Sequence, residues 1–382
     1  MTTDARILPE DADGYRAWLA GSTSGGSIDP QPPLSHAHKL SVVLLDGVAH
    51  QAPIEPLLDS LVTQTHTRWE AILPTGLGPD VVDERVRLVD GADGLLTRLD
   101  ETTSEHVLLA PPDARFYPDA LQRIVAAIVP GAEPNLIYAD EDGQTSDGAR
   151  LTPVFKPGWD PELLLGRDYI GPVITLHVDR LRECLAADPT PISEVAPTYD
   201  LALRIGAVTD PGSAVHIPRI LCWTPTRPER RETDDLAISR GVVAEYLRRR
   251  GSTAVREPAK LRPTWNRIVW PLPETPPRAS IIVPTRDNGG VLERCARGVL
   301  DATHYPDIEL LIVDNGSVDP ATLRTIARLE SNDRVRVLRR DIPFNFSALN
   351  NAAAREATGE VLVLLNDDTE VIDGGWLREL VS

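Results

Sequence analysis

The chain has 382 residues, a formal net charge of -18 and 42% hydrophobic residues. That length suits two or three domains with real cores, and the acidic balance excludes a nucleic-acid surface, which needs clustered Lys and Arg. A diphosphate ligand stays compatible with it, because a bound metal ion supplies positive charge locally.

Residues 1–38 are polar and rich in Gly, Ser and Pro (GSTSGGSIDPQPP) and read as a leader with one short helix around Tyr15 and Trp18. The opening MTTDARILPEDADGYRAW is acidic and lacks an apolar core, so it is no signal peptide. No run approaches the roughly 18 apolar residues of a membrane span. The expectation is a cytoplasmic protein without a transmembrane segment, with any membrane contact peripheral, at the inner face. Cys184, Cys222 and Cys295 are far apart, show no CxxC spacing and read as reduced, buried thiols.

From Lys39 to about Trp223 strands and helices alternate: LSVVLLD, a helix PIEPLLDSLVTQT, then WEAILP, HVLLAP, a helix PDALQRIVAAIV, and NLIYADED. This alternation predicts an α/β domain with a largely parallel sheet over 39–223. Residues 224–277 read as a linker with one helix, LAISRGVVAEYLRRR, stopped by Gly251 and followed by proline-dense sequence up to Pro277. The pattern then restarts over 278–382 with ASIIVP, GVLERCARGVLDA, IELLIVD, TLRTIARLE, RVRVLR, ALNNAAAREA, EVLVLLND and the start of a helix, WLRELVS. LSVVLL sits opposite ASIIVP, and SLVTQTHTRWEAIL opposite GVLDATHYPDIELLIV, so two copies of one supersecondary plan are expected.

In open parallel sheets ligands bind beyond the carboxyl ends of the strands. In the second copy ASIIVP runs into Thr285, Arg286 and Asp287, LLIV runs into Asp314, Asn315, Gly316 and Ser317, and VLVLL runs into Asn366, Asp367 and Asp368. Three carboxylate-capped strand ends would converge on one edge. Clustered carboxylates repel, so they need a cation or hydrogen-bond donors between them. A hard divalent metal with a diphosphate meets that need.

SIIVPTRDN, LLIVDNGSVD, FNFSALNNAAAREATGEV and LLNDDTEV, in this order, resemble successive motifs of family 2 glycosyltransferases of the bacterial O-antigen and surface-polysaccharide type. The resemblance implies an α/β architecture of tandem GT-A (Rossmann-like) domains with mostly parallel sheets, the second incomplete. It also implies a nucleotide-diphosphate sugar donor, a glycan or lipid-linked glycan acceptor, and Mg²⁺ or Mn²⁺. Carried over by motif, Pro284, Thr285, Arg286 and Asp287 would line the nucleotide pocket. Asp314 would read the base, with Asn315 beside it. Asn350 and Asn351 stand where the family has an Arg-Asn pair. Asn366-Asp367-Asp368 stand for its D-x-D, with Asp368 as the metal ligand. The resemblance places the catalytic base beyond Ser382, so none is assigned, and 278–382 is short of the roughly 200 residues of a whole domain of this type.

The first copy resembles the same group through NLIYADEDGQTSDGAR, PVFKPGWDPELLLGRDYIG, YDLALRI and VHIPRILCW, but its chemistry is eroded. Its first strand ends in Leu45, Asp46 and Gly47 and its second in Pro74 and Thr75. Its D-x-D place reads Pro111-Pro112-Asp113, and Thr198 occupies the place of the base. A threonine cannot act as a general base near neutral pH. Asp140, Glu141 and Asp142 are the alternative acids of this copy, and they read first as a solvated acidic turn. Two further readings stand beside a transferase: a catalytically inactive scaffold or glycan-binding fragment, and a sugar nucleotidyltransferase. The second is disfavoured because TRDNGG lacks the lysine of a phosphate loop.

Overall fold

The computed structural model describes residues 38–45, 53–75, 83–89, 95–129, 131–144, 151–225 and 232–382. The leader up to residue 37 and the strand-end pair Asp46-Gly47 lie outside the described residues. The chain forms two compact units, the first comprising the described residues up to Ser252 together with 256–268, the second 253–255 and 269–382.

Unit 1 contains β1 (Leu40–Leu44), α1 (Glu55–Val62), β2 (Trp69–Pro74), β3 (Val86–Val89), α2 (Leu95–Asp100), β4 (His106–Ala110), β5 (Arg115–Phe116) and α3 (Ala120–Ala127). There follow β6 (Leu136–Gln144), β7 (Leu151–Val154), α4 (Pro161–Gly166), β8 (Ile174–His177), α5 (Val178–Ala187), α6 (Pro197–Gly206), β9 (Ala214–Pro225) and α7 (Glu232–Arg249). The strands form one sheet ordered β3-β2-β1-β4-β8-β6-β9-β5, with β7 added to β6. β3, β2, β1 and β4 are mutually parallel, while β8 enters antiparallel between β4 and β6. The apolar runs of β1, β2 and β4 are buried along almost their whole length, as strands covered on both faces should be.

A two-stranded ribbon, β10 (Val255–Pro258) with β11 (Asn266–Val269), follows in the chain. Unit 2 then runs β12 (Ala279–Thr285), α8 (Gly289–Arg297), a π turn (Gly298–Ala302), β13 (Ile308–Asp314), α9 (Pro320–Glu330), β14 (Val335–Arg339), α10 (Phe346–Ala354), β15 (Val361–Leu364) and α11 (Trp376–Val381). Its sheet is wholly parallel, ordered β14-β13-β12-β15. Helix starts follow local chemistry. The Asp319 carboxylate accepts the Thr322 N–H at 2.8 Å ahead of Pro320, and Asn345 accepts the Ala348 N–H at 2.9 Å. Ile281, Val283, Leu310 and Ile312 face α8, α9 and α11, while Ile282, Leu311 and Val313 face Leu349 and Ala353 of α10.

The order β3-β2-β1-β4 of unit 1 recurs as β14-β13-β12-β15 in unit 2. A hydrogen-bonded triad around a buried glutamate recurs with it. In unit 1 Ser41 and Thr103 donate to Glu70 Oε1 at 2.7 and 3.1 Å. In unit 2 Ser280 and Thr358 donate to Glu309 Oε1, the threonine at 2.8 Å. Ser41 is the register partner of Glu70, and Ser280 that of Glu309.

Asp140, Glu141 and Asp142 correct an expectation: they lie within β6, not on a solvated turn, and Asp140 and Asp142 are buried. Asp140 Oδ1 accepts the Lys156 N–H at 2.9 Å and meets His216 Nε2 at 2.8 Å. Glu141 lies 3.3 Å from the buried Lys156 ammonium, and Tyr117 donates to Asp142 at 2.9 Å. Burial pushes the Glu141 carboxyl up despite that ammonium. The three thiols are buried, as expected. No helix among the described residues is long and apolar enough to cross a membrane.

Candidate functional site

The carboxyl ends of β12, β13 and β15 meet because the three strands are parallel neighbours. Thr285 is in register with Asp314, and Leu365 N–H bonds to the Ile282 carbonyl, so Asn366-Asp367-Asp368 leave the sheet beside Thr285. Thr285 Oγ1 donates to Asp367 Oδ2 at 2.7 Å, and Asn288 Nδ2 reaches the same oxygen at 3.4 Å. Asp287 has φ 49°, the sole positive φ of a non-glycine residue among those described. That conformation turns its carboxylate onto the next loop, where Oδ1 accepts the Val318 and Asp319 N–H groups at 2.7 and 2.8 Å. Its own N–H donates to Ser317 Oγ at 3.0 Å. The Asp319 and Val318 amides hold the Asp287 carboxyl below the usual carboxylate range.

Asp314 is buried, accepts the Ser317 N–H at 2.9 Å and pairs with Arg339 at 3.0 Å. Gly316 follows with φ 75°, and a Cβ there would lie 2.5 Å from Asp341 Oδ1, so both backbone conformation and space call for glycine. Asn315 is buried, and its Nδ2 donates to the carbonyls of Arg340 and Ile342 at 2.7 and 2.9 Å. Asn350 is buried and bonds to the Phe346 carbonyl, while Asn351 is exposed on the same helix. Pro284 is half-buried, and Arg286 and Asn366 are exposed at the edge. The Asn366 carbonyl faces Cys295 Sγ at 3.6 Å, and burial, then the charges of Asp367 and Asp368, push that thiol up to about 11.

The carboxylates are thus not held together by an empty metal cage. Among the described residues no group of three or more His, Cys, Asp or Glu side chains is placed to hold a metal ion. Hydroxyls, amides and Arg339 satisfy Asp287, Asp314 and Asp367. Asp368 differs: it is exposed and makes no hydrogen bond or ion pair with the described residues. One such carboxylate fits a hard divalent cation that draws its remaining oxygen ligands from a diphosphate and water. Sequence reasoning missed Arg339 and Asn288 as members of the site. Arg339 was findable, because RVRVLRR carries it to the end of a strand at the same edge.

Among the described residues, unit 1 lacks this constellation. The end of β4 carries Pro111-Pro112-Asp113, and Thr198 is buried within α6. Next to it, Asp200 is held by Arg204 at 2.9 Å, Arg249 at 2.7 Å and the Ser193 N–H at 3.0 Å.

A parallel sheet with polar strand ends of this kind is what nucleotide-binding α/β proteins share. Residues 280–382 match the model of glycosyl transferase family 2, and this segment belongs to that family. Across 91% of its length the chain is 32% identical to the uncharacterized protein y4gI of Sinorhizobium fredii, covering 41% of that protein. It is 30% identical to the O-antigen biosynthesis protein RfbC of Myxococcus xanthus, over 100% of this chain and 31% of that one. The chain therefore spans less than half the length of these relatives. Similar solved structures include the mannosyltransferase PcManGT from Pyrobaculum calidifontis in complex with GDP-Man and Mn2+, at 26% identity. It covers 28% of this chain and 32% of that one, with a TM-score of 0.26. S. aureus TarS 1-349 in complex with UDP-GlcNAc matches at 14% identity over 55% of this chain and 66% of that one, TM-score 0.38.

Proposed function

We propose that this chain is part of a glycosyltransferase of surface-polysaccharide synthesis, and that unit 2 binds its nucleotide-diphosphate sugar donor. The observation that carries this reading is the edge where β12, β13 and β15 end, with Asp287, Asp314 and Asp367 tied into one frame and Asp368 left unpaired. Pro284, Thr285 and Arg286 border the nucleotide, Asp314 and Asn315 lie at its base end, and Asn351 and Asn366 reach it from the rim. Asp368 would hold the divalent ion, Mg²⁺ or Mn²⁺. When bound, the ion offsets the charge of the departing diphosphate. Thr285 and Asn288 hold Asp367 in place, which fixes the loop that presents Asp368. The transfer is read as inverting, with a glycan or lipid-linked glycan as acceptor, and the base that deprotonates it is assigned to none of these residues. Unit 1 is read as a degenerate copy with a structural role; its paired Asp200 and buried Thr198 favour that over a second active site.

Calorimetry of the full chain with UDP, GDP, CDP and ADP in the presence of Mn²⁺ tests this. At least one nucleotide should bind. Asp368→Ala should weaken binding at least tenfold with Mn²⁺ and leave the melting temperature unchanged, since its side chain has no partner to lose. Equal affinity of Asp368→Ala and wild type would remove Asp368 from the site.

A further inference from the structure

Segment 340–346 is held unusually firmly for a surface loop. Asn315 Nδ2 grips it at the carbonyls of Arg340 and Ile342, and the Asp314 carbonyl accepts the Arg340 N–H at 2.8 Å. At its far end Asn345 caps α10, and Asn350 bonds to the Phe346 carbonyl. Yet the segment turns apolar side chains outward. Ile342 is 38% exposed, Phe344 70% and Phe346 42%. Exposed apolar groups rimmed by polar ones commonly mark a ligand surface, and a loop anchored to Asp314 and Asn315 lies at the base end of the site.

The other aromatic side chains of unit 2 are committed elsewhere. Tyr305 is buried and donates to the Pro277 carbonyl, ahead of β12 at the opposite edge of the sheet. Trp376 packs on the core and donates to Thr303 Oγ1 at 2.9 Å. Trp270 lies in the segment leading into β12, and β12 ends at Thr285, followed by Arg286 and Asp287, without an aromatic residue. A planar base needs a flat apolar face as well as polar partners at its edge.

The geometry points to Phe344 as the face on which the donor's nucleobase stacks, with segment 340–346 pre-set for it by Asn315 and Asn345. This rests on the donor-binding reading above. Stacking raises affinity for the whole nucleotide without contributing to the diphosphate.

The test compares wild type, Phe344→Ala and Phe344→Trp by calorimetry with Mn²⁺, using the tightest of UDP, GDP, CDP and ADP and, separately, inorganic pyrophosphate. Phe344→Ala should lose about tenfold or more in nucleotide affinity and keep its pyrophosphate affinity. Phe344→Trp should retain nucleotide affinity, and its added fluorescence should be quenched on binding. Its 70% exposure means that neither change should move the melting temperature. If Phe344→Ala leaves both affinities unchanged, or lowers both equally, Phe344 is no stacking face. If it instead lowers sedimentation with anionic vesicles while nucleotide affinity holds, the apolar segment is a membrane contact and the inference falls. Failure of wild type to bind any nucleotide would sink the donor reading with it.

Discussion

Glu309 is a carboxylate sealed inside unit 2, 1% exposed, on a strand that is otherwise apolar up to its last residue, Asp314. Burial alone would raise its carboxyl. Hydrogen bonds from Ser280 and from the amide and hydroxyl of Thr358, with Arg278 nearby, outweigh burial and hold it at about 2, against an ordinary 4.5. A folded-state value below the unfolded one means that the unfolded chain binds the proton first as pH falls. The contribution is therefore complete above about 4.5 and is lost as pH drops through about 2. Glu309→Gln should cost about 2 kcal/mol at pH 7, the scale of charge-assisted hydrogen bonds. The gap between the two proteins should shrink between pH 4.5 and pH 2. Urea midpoints at pH 7 and pH 3 measure it, and a gap that does not change with pH would mean that the charge is irrelevant.

At the scale of elements, α7 is more than a spacer. Its last turn carries Arg249, 8% exposed, which bonds to Asp200 Oδ1 at 2.7 Å and to Thr190 Oγ1 at 3.1 Å. Asp200 is itself 3% exposed and shared with Arg204. Removing one partner from a buried ionic network leaves charge unmatched, at a cost of about 3 kcal/mol. Arg249→Leu should destabilise unit 1 by about that amount, read as a lowered first transition in thermal unfolding, while Mn²⁺-dependent nucleotide binding is unchanged. A loss below about 0.5 kcal/mol would show that Arg204 alone satisfies Asp200. The same scale separates the two sheets. β4 of unit 1 is covered by antiparallel β8 and buried throughout. Its counterpart β15 pairs with β12 alone among the described strands and leaves Leu362 and Leu364 46% and 55% exposed.

For the whole molecule, two units share a strand order and a Ser-Glu-Thr triad, but among the described residues one alone carries the carboxylate edge. The chain should therefore bind one nucleotide, not two. Calorimetric stoichiometry near one is expected, unchanged by Asp113→Ala, with affinity lowered at least tenfold by Asp368→Ala. A stoichiometry of two, or loss of binding in Asp113→Ala, would assign a working site to unit 1.

The sequence by itself determined the strand and helix alternation, the restart after Pro277 and the carboxylates at strand ends. Each of these is a local or periodic property: buried parallel strands must be continuous apolar runs, and the residue after such a run must sit at the sheet's edge. It also placed the helix LAISRGVVAEYLRRR. Tertiary structure decided what those carboxylates do. Asp287, expected in the nucleotide pocket, and Asp367, expected at the D-x-D place, accept hydrogen bonds from the amides of Val318 and Asp319 and from Thr285 and Asn288. Nothing in the spacing of residues 285, 318 and 367 reveals those bonds, which exist only once β12, β13 and β15 lie side by side. Asp140, Glu141 and Asp142 looked like a turn because charge density suggests solvent, but Lys156, His216 and Tyr117 converge on them from distant segments and let β6 continue. Of the acids at the strand ends of unit 2, Asp368 has no partner among the described residues, and that distinction is set by packing.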